Sequence, residues 1–268
     1  MTEPARDLLE HTFASIGSLL TELPPGEWDL ATECPGWSVR DIVSHLIGIE
    51  RLLLGLPADP PLSAYPAHVK NDVGKFGEDA IAARRDRPGP IVATEFIETV
   101  EARLSQLRAM TTADSDRPGW SPIGEVPDRE FMLVRAFDLW AHEQDIRRAT
   151  QRPGHLSGPV AEHVLRWHRR NLPFVVGKRA GAPDGSSVRF VVLGPASDDV
   201  TVEVVGRARI ADQPVPSPTA TLTCDIGTYN ALLCGRIGAD AAIGAGDLTL
   251  SGDETLATTV ARSAGYVF

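Results

Sequence analysis

A chain of 268 residues, 43% hydrophobic and 23% charged, has the material for a buried core and the length for two domains, which excludes a disordered polymer. Its net charge of −10 excludes nucleic acid as a main partner, because phosphate contacts need a basic surface. No apolar run approaches the ~20 residues that span a bilayer, and the opening MTEPARDLLEHTF lacks the basic and apolar regions of a signal peptide, so the expectation is a cytoplasmic protein with no membrane partner.

The first half reads as helices. Residues 5–23 place Leu8, Leu9, Phe13, Ile16, Leu19, Leu20 and Leu23 close to a period of 3.6, and Pro24, Pro25 and Gly26 end the segment. A second helix starts after Gly36, where Ser38 with Asp41 three residues on resembles a capping box, and runs to Leu54 and Gly55. Residues 57–90 are rich in Pro, Gly and charge and read as a long excursion with room for one short helix. A third helix over 92–110 carries Phe96, Val100, Leu104 and Leu107 on one side. Asp114–Gly124 reads as loop. Asp128 is the expected N-cap of a fourth helix over 129–150, which closes on Arg147 and Arg148 near its negative end. Four helices with one long connection predict a four-helix bundle.

The texture changes after Arg152-Pro153-Gly154. A helix over 157–171 is followed by strands at 187–193 and 200–205, a further strand at 219–223, and helices at 226–235 and 253–264 around a strand at 248–251. The expected fold class is α+β, with a bundle over 1–152 and a smaller α+β domain over 153–268.

The chemistry-bearing pattern lies on the second and fourth helices. Asp138 and His142 stand at i and i+4, one above the other on a helix. A second imidazole from a facing helix, His45, completes three ligands and keeps a metal position open. Phe131, Arg135, Asp138, His142, Asp145 and Ala149 share one narrow stripe; a solvent face explains that stripe equally well, although Glu143, Gln144, Arg147 and Arg148 point elsewhere and offer solvent another face. A histidine such as His45 on the edge of an apolar face is more often a core residue than a ligand. Cys34 precedes a helix start, but no His or Asp pattern lies near it in sequence, which favours a structural role. The three cysteines, Cys34, Cys224 and Cys234, form no CxxC pair, so a disulfide scaffold is not expected. Trp37 reads as an anchor of the turn, and Glu50 as one half of an ion pair inside the bundle, with Arg135 as its candidate partner. Arg236 is either a surface arginine ending a helix or a guanidinium aimed at a carboxylate.

The stretches ATECPGWSVRDIVSHLIGIE and RAFDLWAHEQDIRRATQRPG together resemble the mycothiol-dependent maleylpyruvate isomerase family, a branch of the DinB-like metal-binding bundles. The tail, CDIGTYNALLCGR through GDLTLSGDETLATTVA, is similar to the family's C-terminal domain, which is related to sterol-carrier-like folds. The resemblance covers nearly the whole chain. It implies a divalent metal, usually zinc, on His45, Asp138 and His142, with Asp138 one methylene shorter than the family's glutamate. Asp145 is then a hydrogen-bonding neighbour of the ligands or a substitute ligand.

The resemblance also implies mycothiol as a low-molecular-weight thiol cosubstrate, held as a zinc-bound thiolate that attacks a small electrophilic, acidic substrate, so that the product is an isomer or a thiol adduct. Arg236 matches the family's Gly-Arg and would orient a carboxylate of the substrate or of the thiol. Two other readings stay open on the residues: a non-catalytic protein binding metal or an apolar ligand, and a thiol-independent zinc hydrolase.

Overall fold

The computed structural model describes residues 3–121 and 123–267. It divides into two compact units, Met1–Pro153 and Gly154–Phe268. The architecture is a four-helix bundle followed by a smaller α+β unit, the fold class read from the sequence.

In the first unit, α1 (Glu3–Thr21) buries Leu8, Leu9, Phe13, Ile16, Leu19 and Leu20, the 3.6-residue stripe of its sequence. A 3-10 turn, Pro25–Asp29, follows the prolines that stop it. In α2 (Val39–Leu53) the capping box is closed from both sides: the Asp41 amide donates to Ser38 Oγ at 3.2 Å, and the Ser38 amide donates to Asp41 Oδ2 at 3.0 Å. The excursion contains α3 (Asp72–Ala82), started by Asn71, whose Oδ1 accepts from the Gly74 amide. Buried Arg84 ties this segment down by donating to Asp59 at 2.7 Å and Glu95 at 2.8 Å. Next come α4 (Gly89–Ala109), the single turn α5 (Thr112–Ser115), strands β1 (Pro118–Ser121) and β2 (Gly124–Pro127), and α6 (Asp128–Ala149). α1 packs on α4 and α6, and α2 packs on α3, α4 and α6, so α1, α2, α4 and α6 make the bundle and α3 covers one flank of α2. A Cβ at Gly48 would lie 2.4 Å from the Ala80 Cβ; the glycine is what lets α2 and α3 approach.

Two local expectations are corrected. Asp114–Gly124 is not plain loop: it holds the second half of α5 and the first strand of an antiparallel ribbon, whose tight end has Ser121 Oγ donating to the Gly124 carbonyl at 2.6 Å. The ribbon is largely exposed, so no apolar alternation announces it. Asp128 is the first residue of α6 and not its cap; Pro127 holds the cap position. Burial pushes the Asp128 carboxyl above its ordinary value, against the opposing pull of Arg103.

In the second unit, α7 (Gly158–Pro173) runs into a π-helical turn, Phe174–Arg179. A five-stranded sheet follows from β3 (Ser187–Leu193), β4 (Asp198–Val205), β5 (Arg207–Ile210), β6 (Ala220–Asp225) and β7 (Leu248–Gly252), in the order β5-β4-β3-β6-β7. β3 and β6 are parallel, and the other pairs are antiparallel. One face presents Val188, Phe190, Val192, Val200, Val202, Val204, Ala220 and Leu222, all buried at the period of two that a half-covered sheet requires. α8 (Ile226–Leu233) and α9 (Ala239–Ala245) lie between β6 and β7, and α10 (Glu254–Arg262) packs on β6 and β7. β5 and α9, four and seven residues long, are absent from the sequence reading because neither is long enough to show a period.

Candidate metal centre

The site begins with a turn. Gly36 takes a φ of +79°, the left-handed region in which a side chain is strained, and this closes residues 32–37. The Trp37 amide donates to the Cys34 carbonyl at 3.0 Å, and Thr32 Oγ1 donates to the Trp37 carbonyl at 2.8 Å. Cys34 and Trp37 are thereby fixed immediately before α2, which carries His45.

His45 on α2 and His142 on α6 meet with ring centroids 5.0 Å apart, edge to face. The indole of Trp37 lies against both, at 5.0 Å from His45 and 6.0 Å from His142. Its Nε1 donates to Glu78 Oε1 at 2.7 Å, and the same oxygen is 2.9 Å from His68 Nε2. α3 presses on the other side: a Cβ at Gly77 would stand 3.2 Å from His45 Nδ1. Both histidines are buried, while the Asp138 side chain is 34% exposed, so the cluster is walled on its histidine side and open to solvent at the carboxylate.

The candidate ligand atoms of His45, Asp138 and His142 all lie within 4.8 Å of one another. The Asp138 carboxylate is divided. Arg135 donates to its Oδ2, and its Oδ1 faces His142 Nε2 at 3.7 Å, beyond hydrogen-bond range. The other nitrogen of that ring, Nδ1, is 3.0 Å from Asp145 Oδ2. A carboxylate only accepts, so in the neutral ring Nδ1 carries the proton and Nε2 presents a lone pair. A lone pair and a carboxylate oxygen facing across that gap repel unless a cation lies between them. Two imidazoles and one carboxylate are a donor set suited to zinc, and the residues fit the metal that the motif implies.

A second set, Cys34, His142 and Asp145, also lies within 4.8 Å and is fully buried. Cys34 Sγ donates to Asp145 Oδ2 at 3.1 Å. The sequence around Cys34 carries no His or Asp pattern, yet the fold brings both residues to it: they come from α6, 108 and 111 residues later in the chain, out of reach of a local pattern. Trp37, expected only to anchor a turn, is a wall of the site. Glu78 was not singled out by the sequence; Asn71 as a cap ahead of Phe76, Ala80 and Ile81 was the available signal for its helix. The outward direction expected of Glu143 is also corrected, since it is fully buried and accepts from Ser15 at 2.6 Å and Arg147 at 2.7 Å.

Behind Asp138 runs a buried chain of charge. Glu50 accepts from Arg135 at 2.7 Å and from Arg103 at 3.2 Å. Burial alone would lower the Arg135 guanidinium, but Glu50 and Asp138 together raise it above its ordinary value. Arg103 is lowered by burial, with Glu50 offsetting only part of that. Arg135 hydrogen-bonds two carboxylates, whereas Arg103 bonds one, Glu50, feels Asp128 only through its charge, and is opposed by the charge of Arg135. In the second unit, Arg236 follows α8 and Gly235, is half-buried, and donates from Nη1 to the Cys234 carbonyl at 3.3 Å.

These residues and the helices that carry them define a class: bundle proteins in which facing helices bring together two buried histidines and a part-exposed carboxylate. The chain belongs to the mycothiol maleylpyruvate isomerase family, whose N-terminal-domain model matches residues 9–147, just over half of its length. A crystal structure of the mycothiol-dependent maleylpyruvate isomerase is similar over 93% of this chain and 92% of that one, at TM-score 0.58 and 14% identity. A structure of a mutant of that enzyme is similar over the same shares, at TM-score 0.59 and 14% identity. At such identity the likeness shows the shared fold. Sterol carrier protein 2 from Yarrowia lipolytica, apo form, aligns with 39% of this chain and 91% of its own at TM-score 0.29 and 11% identity, and the whole-chain similarities define the fold in its place. No curated relative matches the chain by sequence.

Proposed function

We propose that this protein is a divalent-metal- and mycothiol-dependent enzyme, an isomerase or a thiol S-transferase, acting on a small electrophilic acid. The observation that supports it most is the convergence of His45, Asp138 and His142 on a bundle of this family. The solved proteins of the same fold are named as a mycothiol-dependent maleylpyruvate isomerase.

His45, Asp138 and His142 are the ligand set in this reading. A divalent cation bound there, zinc by preference of the donors, supplies a Lewis acid that lowers the pKa of a thiol and keeps it as thiolate at neutral pH. The residues of the chain do the rest. Trp37, with Glu78 holding its indole, excludes water from the histidine side. The part-exposed Asp138 marks the side on which a thiol and an electrophile arrive. Arg236 holds a carboxylate of the substrate or the thiol. Addition of the thiol to an activated alkene turns the double bond into a single bond. Rotation and expulsion of the same thiol then give the isomer with no net change in atoms, and retention of the thiol gives the transferase product. In this reading the thiol cosubstrate and not Cys34 is the nucleophile, which the burial of Cys34 supports.

The experiment is a screen of small unsaturated acids against purified protein of measured metal content, with mycothiol titrated and a thiol-free control. Turnover that rises with mycothiol supports the proposal. Equal turnover without thiol replaces it with a metal hydrolase, and a metal-loaded protein inert to every electrophile replaces it with a binding protein.

A further inference from the structure

Asp145 and Cys34 have no task in the function proposed above, yet they occupy the most protected corner of the site. Asp145 Oδ2 is 3.0 Å from His142 Nδ1 and 3.1 Å from Cys34 Sγ, and each of the three residues is more than nine-tenths buried. We propose that Asp145, seated by the Cys34 thiol, is a positioning residue that fixes His142 in its Nδ1–H form and leaves the Nε2 lone pair facing Asp138. The proposal rests on the reading of His142 as a metal ligand.

The argument is one of donors and acceptors. A neutral histidine in water prefers its proton on Nε2, the nitrogen that here faces Asp138. A ring in that form would offer the metal cluster an N–H and no lone pair. Asp145 reverses the preference, because a carboxylate accepts hydrogen bonds and its oxygen lies at Nδ1. Asp145 and His142 are three residues apart on α6, so helix geometry alone makes them neighbours. Geometry alone does not fix the carboxylate torsion. Cys34, 111 residues earlier, supplies that from outside the helix. Its own position is set by the Gly36 turn and by its amide, which donates to Thr32 Oγ1 at 3.3 Å.

The same geometry explains why Cys34, His142 and Asp145 are a hydrogen-bonded group and not a second ligand set. Asp145 meets the ring at Nδ1, where the proton already sits, and Cys34 meets the same Asp145 oxygen, whereas Asp138 faces Nε2. Carboxylate–histidine pairs of this kind raise the donor strength of the ring, and losing one costs typically ~10–100-fold in metal affinity.

The second unit contains an internal reference. His168 is held the opposite way: Nε2 is 3.0 Å from Asn230 Oδ1, which accepts, and Nδ1 is 2.9 Å from the Tyr266 hydroxyl, which donates. One spectrum of the intact protein therefore reports both forms.

The test is a long-range proton–nitrogen correlation spectrum of ¹⁵N-histidine protein, metal-free, at a pH where the rings are neutral. It is paired with titration of zinc and of Co²⁺ into wild type, Asp145→Ala, Asp145→Asn and Cys34→Ser. His142 is expected with its proton on Nδ1 and His168 with its proton on Nε2. Asp145→Ala should return His142 to an Nε2–H population and weaken metal binding ~10–100-fold. Should that variant not fold, Asp145→Asn keeps the shape and must still weaken binding, since a neutral amide is the poorer acceptor. Cys34→Ser retains a hydroxyl donor and should keep both the tautomer and the affinity. An Nε2–H His142 in the wild type overturns the proposal, as does an Asp145→Ala variant with unchanged tautomer and affinity. A thiolate-to-metal charge-transfer band in the Co²⁺ form that Cys34→Ser abolishes also overturns it, by making Cys34 a ligand. A wild type that binds no divalent ion, yet shows the Nδ1–H ring that Asp145→Ala loses, upholds the positioning role and removes only the metal reading.

Discussion

Glu50 Oε1 lies 2.7 Å from an Arg135 Nη2, and both side chains are at least 95% buried although 85 residues separate them in the chain. Glu50 also accepts from Arg103, so one carboxylate from α2 answers guanidinium groups from α4 and α6. Three bundle helices are locked in register at the level of the candidate site, and Arg135 carries that lock to Asp138.

Glu50→Gln leaves two buried guanidinium groups facing a neutral amide. Breaking a buried pair in this way typically costs ~3–5 kcal/mol. Urea unfolding of the variant should show that loss as a lower midpoint with little change in slope. A loss under ~1 kcal/mol, the range of an exposed pair, would mean that water reaches the network.

His142→Ala should strip the protein of bound divalent metal, because two remaining donors hold a cation weakly. Elemental analysis of protein purified without chelator reads this directly, and full occupancy in the variant rejects the ligand assignment. Asp138→Glu is the companion experiment. The longer side chain restores the reach of the family's glutamate, so binding should hold or tighten.

Burial lowers the His168 imidazole from its ordinary 6.5 to about 4, despite its bond to Asn230. Between those two values the unfolded chain takes up a proton that the folded ring refuses. Stability is therefore complete above pH 6.5 and falls as pH drops from 6.5 to about 4. The loss over that window is about 3 kcal/mol. His168→Gln should flatten this part of the curve of unfolding free energy against pH. A wild-type curve that is already flat there, or an equally steep curve in the variant, contradicts the assignment.

Arg236→Ala should lower kcat/KM for carboxylate-bearing substrates about ten- to a hundredfold, the equivalent of the roughly 1.5–3 kcal/mol of a charge-assisted contact. Neutral electrophiles tested in parallel should lose much less. Equal losses on both would show that the arginine shapes the second unit and does not hold a carboxylate.

The legible parts of this chain are the ones written at short spacing. The Ser38–Asp41 cap, the apolar stripe of α1 and the Asp138–His142 pair each depend on residues three or four apart, and so does the alternation of β3 and β4 on residues two apart. The Trp37–Glu78 and Cys34–Asp145 hydrogen bonds join residues 41 and 111 apart, and no local period encodes them. α6 was hard to read for another reason. Arg135, Glu143, Gln144 and Asp145 are all buried on it, so polar residues fall on every side and no stripe separates core from solvent. The excursion hid α3 because its glycines, Gly74 and Gly77, look like breakers in sequence, whereas in the fold Gly77 is a close-contact point against His45.

The indole of Trp37, set between α3 and the two imidazoles, gives this protein an optical reporter at its own site. The chain has five tryptophans, so the difference between wild type and Trp37→Phe isolates the emission of this one. With rings 5.0 and 6.0 Å away, a paramagnetic ion entering the cluster would quench that emission strongly by energy or electron transfer. Zinc, closed-shell, would alter it only by moving the histidines. Occupancy could then be followed in real time, without a dye or an assay for the reaction.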